Sequence, residues 1–422
     1  MADTEVITLG CRLNTFESEV IRNHSKAAGL TDTLIVNTCA VTAEAERQAR
    51  QTIRRLRRDN PNSKIIVTGC AAQLHPQSFA DMGEVDRVLG NEEKMKAESY
   101  RDWDAESEPI AVADIMTVKE TAAHLIHGLD GRTRAFVQIQ QGCDHRCTFC
   151  IIPFARGNNR SLTPGVIVQQ VRELVAGGFK EVVLTGVDIC SYGTDMAGRP
   201  TLGELVRRLL RAVPDLPRLR LSSLDPAAMD DALFDVLAND DRLMPHLHLS
   251  VQAMDAMILK RMKRRHAPDT VYRIVDRARK VRPDVVFGAD LIAGFPTETE
   301  RQFQTGLSAI EDIGFAHLHV FPYSERQGTP AVRMPTVEKA VRKDRAEQLR
   351  KVGDAAMDGF LKSRVHTSAE VLVEKSGQGL SEHYVPVQIT AEGADKIGTG
   401  DLLRVNIDGL ANGRLQGTLN HD

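Results

Sequence analysis

The chain has 422 residues and a net charge of −3, with 42% hydrophobic and 26% charged residues, a composition typical of a globular protein of two or three domains. It contains no apolar run near the roughly 20 residues that span a bilayer, and its first twenty residues lack the pattern of a secretory signal. These features exclude a membrane-spanning helix and lead us to expect a cytoplasmic protein.

The N-terminal part alternates strand and helix patterns. Short β-rich apolar runs at 5–9, 33–36 and 64–68 are each followed by helical periodicity, which predicts a parallel α/β sheet. Asn14 and Glu17 have the spacing of a capping pair at the start of the first helix. Residues 91–130 are polar and irregular, which indicates an edge element and then a linker, so we place the first domain at residues 1–125.

The alternation restarts near residue 134 and continues through six β/α units, separated by helical stretches such as 163–177 and 299–313. This succession predicts a TIM-like barrel, complete or partial, over residues 130–360, with a doubly wound open sheet as the alternative. The six apolar runs lie at 135–139, 181–187, 219–224, 246–251, 285–292 and 317–321.

The last part of the chain follows a charged helix near 336–362 and has an all-β pattern. Residues 369–375, 383–390, 401–410 and 413–419 alternate apolar and polar side chains between glycine-containing turns. This pattern predicts a small antiparallel β-barrel over residues 363–422.

The sharpest chemical signal is a C-x3-C-x2-C loop formed by Cys143, Cys147 and Cys150, directly after the first strand of the predicted barrel. Three thiolates hold three irons of a 4Fe–4S cluster and leave the fourth iron without a protein ligand. S-adenosylmethionine (SAM) can bind such an open iron through its amino and carboxylate groups. The alternative is a zinc site with His145 as the fourth ligand. The carboxyl end of a barrel strand is also where barrel active sites lie.

A second set consists of Cys11, Cys39 and Cys70, each of which follows an N-terminal strand by two or three residues. The carboxyl ends of parallel strands share one edge of a sheet, so we expect the three thiols to converge. The alternative is that each is a small buried hydrophobe. The seventh cysteine, Cys190, is interpreted as a packed thiol, and an odd count in a chain expected to be cytoplasmic argues against disulfides.

Basic residues are concentrated in two segments, although the net charge of the chain is negative. Residues 256–282 include ten Lys or Arg and two Asp, and a second basic group lies at 54–58. Such patches either bind phosphates or are solvated helix faces. The first patch contains Lys260, Lys263, Arg264 and Arg265.

These motifs resemble the radical SAM methylthiotransferase family over essentially the whole chain. The segments LGCRLNTFESE, NTCAVTAEAERQAR and TGCAAQ are similar to the family's N-terminal domain, and QGCDHRCTFCIIPFARGNNRS is similar to its core. The tail resembles the small RNA-binding barrel called TRAM, in which Tyr384 and Lys375 are candidates to stack on RNA and neutralise it. Residues 12–19 and 40–42 resemble the group acting on N6-threonylcarbamoyladenosine in tRNA more than the groups acting on isopentenyladenosine in tRNA or on a ribosomal-protein aspartate.

The resemblance implies two 4Fe–4S clusters and SAM as cofactors. In the family, the core cluster cleaves SAM reductively to a 5′-deoxyadenosyl radical, which removes hydrogen from C2 of the adenine at tRNA position 37. The N-terminal cluster supplies or presents sulfur, which a second SAM methylates. The cofactors carry out the difficult step, and the protein positions the reactants and excludes water from the site. tRNA, an external one-electron donor and a sulfur source are therefore the expected partners.

The resemblance also suggests SAM contacts, for which packing at strand ends is the alternative interpretation. Phe149 precedes the third core cysteine, where the family has an aromatic ring near the adenine. Gly186 and Asp188 follow the second barrel strand, where the amino end of SAM binds. Candidates at the ends of later strands are Ser222, Ser223, Gln252 and Ile292.

A hypothesis from another class is a non-catalytic RNA-binding protein with structural zinc or clusters. It explains the tail and the basic patches, but not two three-cysteine sites that each leave a coordination position free. Iron and acid-labile sulfide in an anaerobic preparation exclude the zinc version.

Overall fold

The structure is a computed structural model that describes residues 4–101, 108–120, 133–390 and 397–419. Its N-terminal strands are β1 (Glu5–Thr8), β2 (Thr33–Thr38), β3 (Lys64–Gly69), β4 (Arg87–Leu89) and β5 (Ile110–Ala111), and its N-terminal helices are α1 (Arg12–Ala27), α2 (Ala43–Asp59), α3 (Cys70–Leu74) and α4 (Pro76–Ala80). The five strands pair in parallel in the order β1–β2–β3–β4–β5, which confirms the predicted parallel sheet. The expected boundary near residues 125–130 lies outside the described residues.

The predicted cap of the first helix is wrong. Cys11 occupies the N-cap position of α1, and no side chain caps the helix there. Asn14 instead donates from Nδ2 to the carbonyl oxygens of Leu9 at 2.7 Å and Thr38 at 3.0 Å. Glu17 is fully buried and forms ion pairs. The same residue types serve helix caps and buried polar bridges, and their spacing does not reveal which role they take.

The central part begins with β6 (Arg134–Gln138), the short pair β7 (Gln140–Gln141) and β8 (Arg160–Ser161), and the strands β9 (Glu181–Thr185), β10 (Arg218–Leu221), β11 (His246–Gln252), β12 (Val286–Ala293) and β13 (His317–Pro322). Its helices are α5 (Ile152–Arg156), α6 (Pro164–Ala176), α7 (Leu202–Ala212), α8 (Asp231–Asn239), α9 (Ala256–Arg261), α10 (Pro268–Val281) and α11 (Glu300–Ile313).

Six of these strands form an incomplete barrel. β6, β9 and β10 make one parallel sheet and β11, β12 and β13 another, and the bridges Leu219–Leu243 and Leu224–Leu249 connect the two. Among the described strands none pairs β6 with β13, so the barrel is open on that side. The prediction of a partial TIM-like barrel is confirmed.

The apolar face of the barrel points outward to the helices. Leu219, Leu249 and Phe287 belong to one large buried cluster, which also contains Phe16 and Val20 of α1. Because successive strand residues point to opposite faces, the residues between them face the barrel interior. The N-terminal domain and the barrel therefore share a core, and the interior of the barrel is largely polar.

The C-terminal part begins with α12 (Lys339–Arg364), followed by the strands β14 (Ser368–Lys375), β15 (Gln378–Ser381), β16 (Pro386–Ile389), β17 (Leu402–Ala411) and β18 (Arg414–Leu419). These five strands close into a barrel, as predicted, around a valine-rich core. The pairing is antiparallel except between β16 and β18, which run in parallel. No helix in the described ranges has both the length and the apolar character needed to cross a bilayer.

The loop between β15 and β16 packs against the amino-terminal end of the incomplete barrel. The ring of Tyr384 stacks on His246 at a centroid distance of 5.3 Å. The guanidinium groups of Arg12, Arg134 and Arg220 lie 5.6, 4.9 and 4.9 Å from the same ring. The expectation that Tyr384 stacks on RNA is therefore wrong, because the other two domains already cover this ring.

We expect Tyr384→Ala to lower the stability of the protein by about 1–3 kcal/mol, because it removes one ring and several cation–π contacts. Thermal unfolding measures the change, and tRNA affinity of the folded variant should stay unchanged. Tyr384→Phe keeps the ring and should have a smaller effect. Normal stability together with weakened tRNA binding in the Ala variant would restore the RNA-stacking role.

Candidate functional site

The loop with the three core cysteines lies at the carboxyl end of β6, between β7 and α5. The amide of Cys143 donates to the carbonyl oxygen of Gly157 at 3.0 Å, and that of Cys150 donates to Cys147 at 3.1 Å. Gly142 has a φ of +71°, and a Cβ there would lie 1.9 Å from the carbonyl oxygen of the opposite chain segment. Position 142, directly before the first core cysteine, therefore requires glycine for the loop to close.

The core thiols lie in a largely buried environment with two cationic neighbours, Arg146 and Arg264. Burial and Asp188 raise the pKa of Cys143 to about 12, and burial raises that of Cys150 to about 11. Arg264 donates from Nη1 toward the Sγ of Cys147 at 3.7 Å. Binding of a metal or cluster removes the thiol protons, so a loaded site offsets this cost of burial.

Arg264 is not part of the solvated basic patch in which the sequence placed it. Its side chain is 9% exposed, and Nη2 donates to the carbonyl oxygen of Ser250 at 2.8 Å. Asp225 lies 3.4 Å from the same nitrogen. Lys260 and Lys263 are exposed, as the patch interpretation expects.

One compact group of possible metal ligands lies at the core loop. His145 Nε2 lies 3.0 Å from Asp188 Oδ2, and one ligand atom of each residue lies within 4.8 Å of the Sγ of Cys143. Cys147 and Cys150 do not belong to this close group. Ligands of one tetrahedral zinc lie only about 3.8 Å apart, given Zn–S bonds of about 2.3 Å. Among the described residues, Cys143, Cys147 and Cys150 do not form such a compact group by themselves.

The N-terminal cysteines come from three neighbouring strand ends of the parallel sheet. Cys11 precedes α1, Cys39 follows β2, and Cys70 begins α3. A Cβ on Gly10, which has a φ of +98°, would lie 2.8 Å from the Sγ of Cys39. Burial and the neighbouring Cys70 thiol raise the pKa of Cys39 to about 12, with Cys11 adding to the rise. The structure brings these three thiols together, and all seven cysteines of the chain are free.

Arg156 connects the two cysteine sites. It ends α5, six residues after the last core cysteine, and it is only 2% exposed. Its Nε donates to the Sγ of Cys70 at 3.2 Å, and its Nη2 donates to Asn14 Oδ1 at 2.6 Å. Nη1 donates to Gln141 Oε1 at 2.8 Å, just before the core loop. One guanidinium thus ties the core loop to the N-terminal sheet edge.

A buried ion network surrounds this arginine. Arg156 binds both carboxylate oxygens of Glu17, at 2.7 and 3.0 Å, and Lys94 Nζ lies 2.7 Å from the same carboxylate. Burial would raise the pKa of Glu17, but the two cations lower it to about 2. Two basic side chains thus share one carboxylate, and burial lowers the pKa of Lys94. Arg156 also faces Cys70, so an anionic group there would be paired with a buried cation.

The seven residues expected to contact SAM lie at or after the carboxyl ends of five strands of the barrel, β6, β9, β10, β11 and β12. Asp188 accepts from Ser191 at 2.6 Å, in addition to its contact with His145. Phe149 packs edge-on against Phe295, at a centroid distance of 6.4 Å. A Cβ on Gly186 would lie 2.7 Å from the side chain of Gln140, so this glycine is explained by protein packing.

The remaining expected SAM contacts lie on neighbouring strands. Ser222 is buried at the end of β10, and the hydroxyl of Ser223 donates to Asp290. Gln252 is paired with Leu291 of β12, one residue before Ile292. Gln252 also has a φ of +67°, a conformation that is costly for this residue type and concentrates at functional sites.

Sequence reasoning missed Arg156, Lys94 and the cluster of His248, Asp290 and His319 in the barrel interior. The first two are ordinary basic residues in sequence, and only packing makes them neighbours of Cys70 and Glu17. The histidines carried a usable signal, because HLHLS and HLHV repeat a histidine at every second position of two strands. That spacing places them on one face.

Comparisons with known proteins agree with this geometry. The radical SAM superfamily profile matches residues 137–308, and that of the uncharacterized protein family UPF0004 matches residues 3–90. The structure of the radical SAM methyltransferase TsrM from Kitasatospora setae has a TM-score of 0.54 and 15% identity, covering 79% of this chain and 77% of that one. At this identity, the likeness shows a common fold.

Two relatives match almost the whole chain. The threonylcarbamoyladenosine tRNA methylthiotransferase MtaB of Rickettsia prowazekii is 49% identical, over 98% of this chain and 96% of the relative. The tRNA-2-methylthio-N(6)-dimethylallyladenosine synthase of Staphylococcus saprophyticus is 30% identical, over 97% of this chain and 84% of the relative. The chain belongs to the radical SAM methylthiotransferase family.

Proposed function

We propose that the protein methylthiolates C2 of N6-threonylcarbamoyladenosine at position 37 of tRNA. The observation that carries this proposal is the pair of three-cysteine sites tied together by Arg156, in a chain 49% identical to a protein named for this substrate. An adenine ring carbon has no acidic hydrogen, so an ordinary base cannot activate it. Activation of this carbon therefore requires a radical, which one site would supply, and the other site would supply the sulfur.

The proposed cofactors are two 4Fe–4S clusters and SAM. Cys143, Cys147 and Cys150 would hold one cluster, and Cys11, Cys39 and Cys70 the other. When bound with SAM, the core cluster supplies the 5′-deoxyadenosyl radical, and the N-terminal cluster supplies or presents sulfur. Each set has three thiol donors, which leaves one iron free for a small molecule.

The residues around the core loop position SAM in this proposal. The carboxylate of Asp188 is held by His145 and Ser191, and it would accept hydrogen bonds from the amino group of SAM. Phe149 and Ile292 offer apolar surface to the adenine. The other contacts in the proposed SAM site are Gly186, Ser222, Ser223 and Gln252.

tRNA is the proposed macromolecular partner, with an external one-electron donor and a sulfur source. The domains at residues 1–125 and 130–360 hold the two clusters, and the barrel at 363–422 binds RNA. Lys375 and the exposed Lys260 and Lys263 offer charges to phosphates.

Mass spectrometry of nucleosides from tRNA tests the substrate. Cells lacking the gene should lose 2-methylthio-N6-threonylcarbamoyladenosine and accumulate the unmodified N6-threonylcarbamoyladenosine. Expression of the wild-type gene should restore the product, whereas the Cys147→Ala form should not. If these cells instead lost the methylthio-isopentenyladenosine form, the substrate would be isopentenyladenosine, and the proposed radical chemistry would stand.

A further inference from the structure

Three polar side chains meet on the interior face of the barrel, on the neighbouring strands β11, β12 and β13. Asp290 is paired in register with His319, and His248 is paired with Gly288, two residues before Asp290. The alternate residues of these strands, such as Leu249, pack outward in the main core. The His248–Asp290–His319 cluster therefore faces the interior on a rigid scaffold.

The cluster is organised around one carboxylate. His248 Nε2 and His319 Nδ1 lie 3.1 and 3.2 Å from Asp290 Oδ1. Ser223 Oγ donates to the other oxygen at 3.3 Å. A Cβ on Gly288 would lie 2.3 Å from His248 Nδ1, so glycine is needed at that position to admit the ring. These three side chains hold Asp290 in one orientation.

The two histidines differ in accessibility. The side chain of His248 is 7% exposed and that of His319 is 59% exposed. Asp290 holds the Nδ1 of His319, and among the described residues none accepts a hydrogen bond from its Nε2. With its Nδ1 held by Asp290, His319 directs its Nε2 to whatever occupies the barrel interior.

The cluster lies directly below the proposed SAM site. Ser223 touches Asp290, and Ile292 lies two residues further along the same face of β12, about 6.6 Å away. On the adjacent strand, Arg264 links the core cysteine loop to the carbonyl oxygen of Ser250. A molecule that reacts with a radical formed at SAM must lie close to this point.

We propose that His319, oriented by Asp290 and His248, binds the carboxylate of the amino-acid substituent on the target adenine. The inference rests on the proposed function and deepens it, since it assigns the residues that select the substrate. An apolar prenyl substituent would cover these polar groups without bonding to them. Sites built to hydrogen-bond a substrate reject analogues that lack the bonding group.

A divalent metal ion is the competing occupant, because the three donor atoms lie within 4.8 Å of one another. We favour the carboxylate because Asp290 already contacts one nitrogen of each ring, and the Nε2 of His319 faces the interior. Metal analysis of the purified protein decides between the two. One zinc or manganese per chain, lost in His319→Leu, would overturn the carboxylate assignment.

The substrate test uses anticodon stem–loop RNAs with three forms of the modified adenine: the threonylcarbamoyl form, its primary amide and the isopentenyl form. We expect His319→Leu to raise KM about 10-fold to 100-fold for the threonylcarbamoyl RNA, with kcat nearly unchanged. On the amide RNA, wild type and variant should be nearly equal. His319→Lys retains a cationic donor and should recover most of the loss.

The controls separate this inference from the proposed function. An equal loss on the acid and amide RNAs, or no loss on either, would overturn the carboxylate role alone. Wild-type protein that modifies only the isopentenyl RNA would overturn the proposed substrate, and the carboxylate role with it.

Discussion

Arg156→Leu should remove the N-terminal cluster while leaving the core cluster in place. The substitution deletes the N–H donor to Cys70 and the bidentate partner of Glu17, both in a buried site. Breaking a buried ion pair costs about 3–5 kcal/mol. An anionic cluster at this edge would also lose its nearest buried cation. We therefore expect iron to fall from about eight to about four atoms per chain after anaerobic reconstitution.

Iron and sulfide analysis, with thermal unfolding, measures this effect. Arg55→Leu, an exposed arginine on α2, is the matched control and should retain full iron and stability. Arg156→Lys keeps the charge but cannot reach all of its partners, and should be intermediate. Full iron content and unchanged unfolding in Arg156→Leu would contradict the linking role of this residue.

The two cysteine sites should fail in different ways when one ligand is removed. Cys147→Ala should abolish cleavage of SAM to 5′-deoxyadenosine, because the core cluster that presents SAM is lost. Cys39→Ala should leave that cleavage largely intact and stop formation of the methylthio product. Chromatography of 5′-deoxyadenosine and nucleoside mass spectrometry measure the two outcomes separately.

Cys190→Ala is the matched control for both variants. Its thiol packs against the main core and belongs to neither three-cysteine set, so both activities should survive. Equal failure of the Cys147 and Cys39 variants in SAM cleavage, with the core cluster still intact, would show that the sites do not have separate roles.

The sequence by itself determined the framework of the protein. Strands of the parallel sheet and of the incomplete barrel were predicted to within a few residues, since apolar periodicity reports which face of a strand is buried. The two cysteine sets were visible for different reasons. Cys143, Cys147 and Cys150 form a local loop, whereas Cys11, Cys39 and Cys70 occupy equivalent positions after parallel strands. Family membership followed from these motifs.

Only the tertiary structure decided the roles of the charged and aromatic residues. Arg156, Arg264 and Tyr384 are surface-type residues in sequence, yet each is held by partners far along the chain. The sequence around an arginine looks the same whether its guanidinium faces water or a buried thiol. Its role depends on which groups surround it, and long-range packing alone brings those groups together.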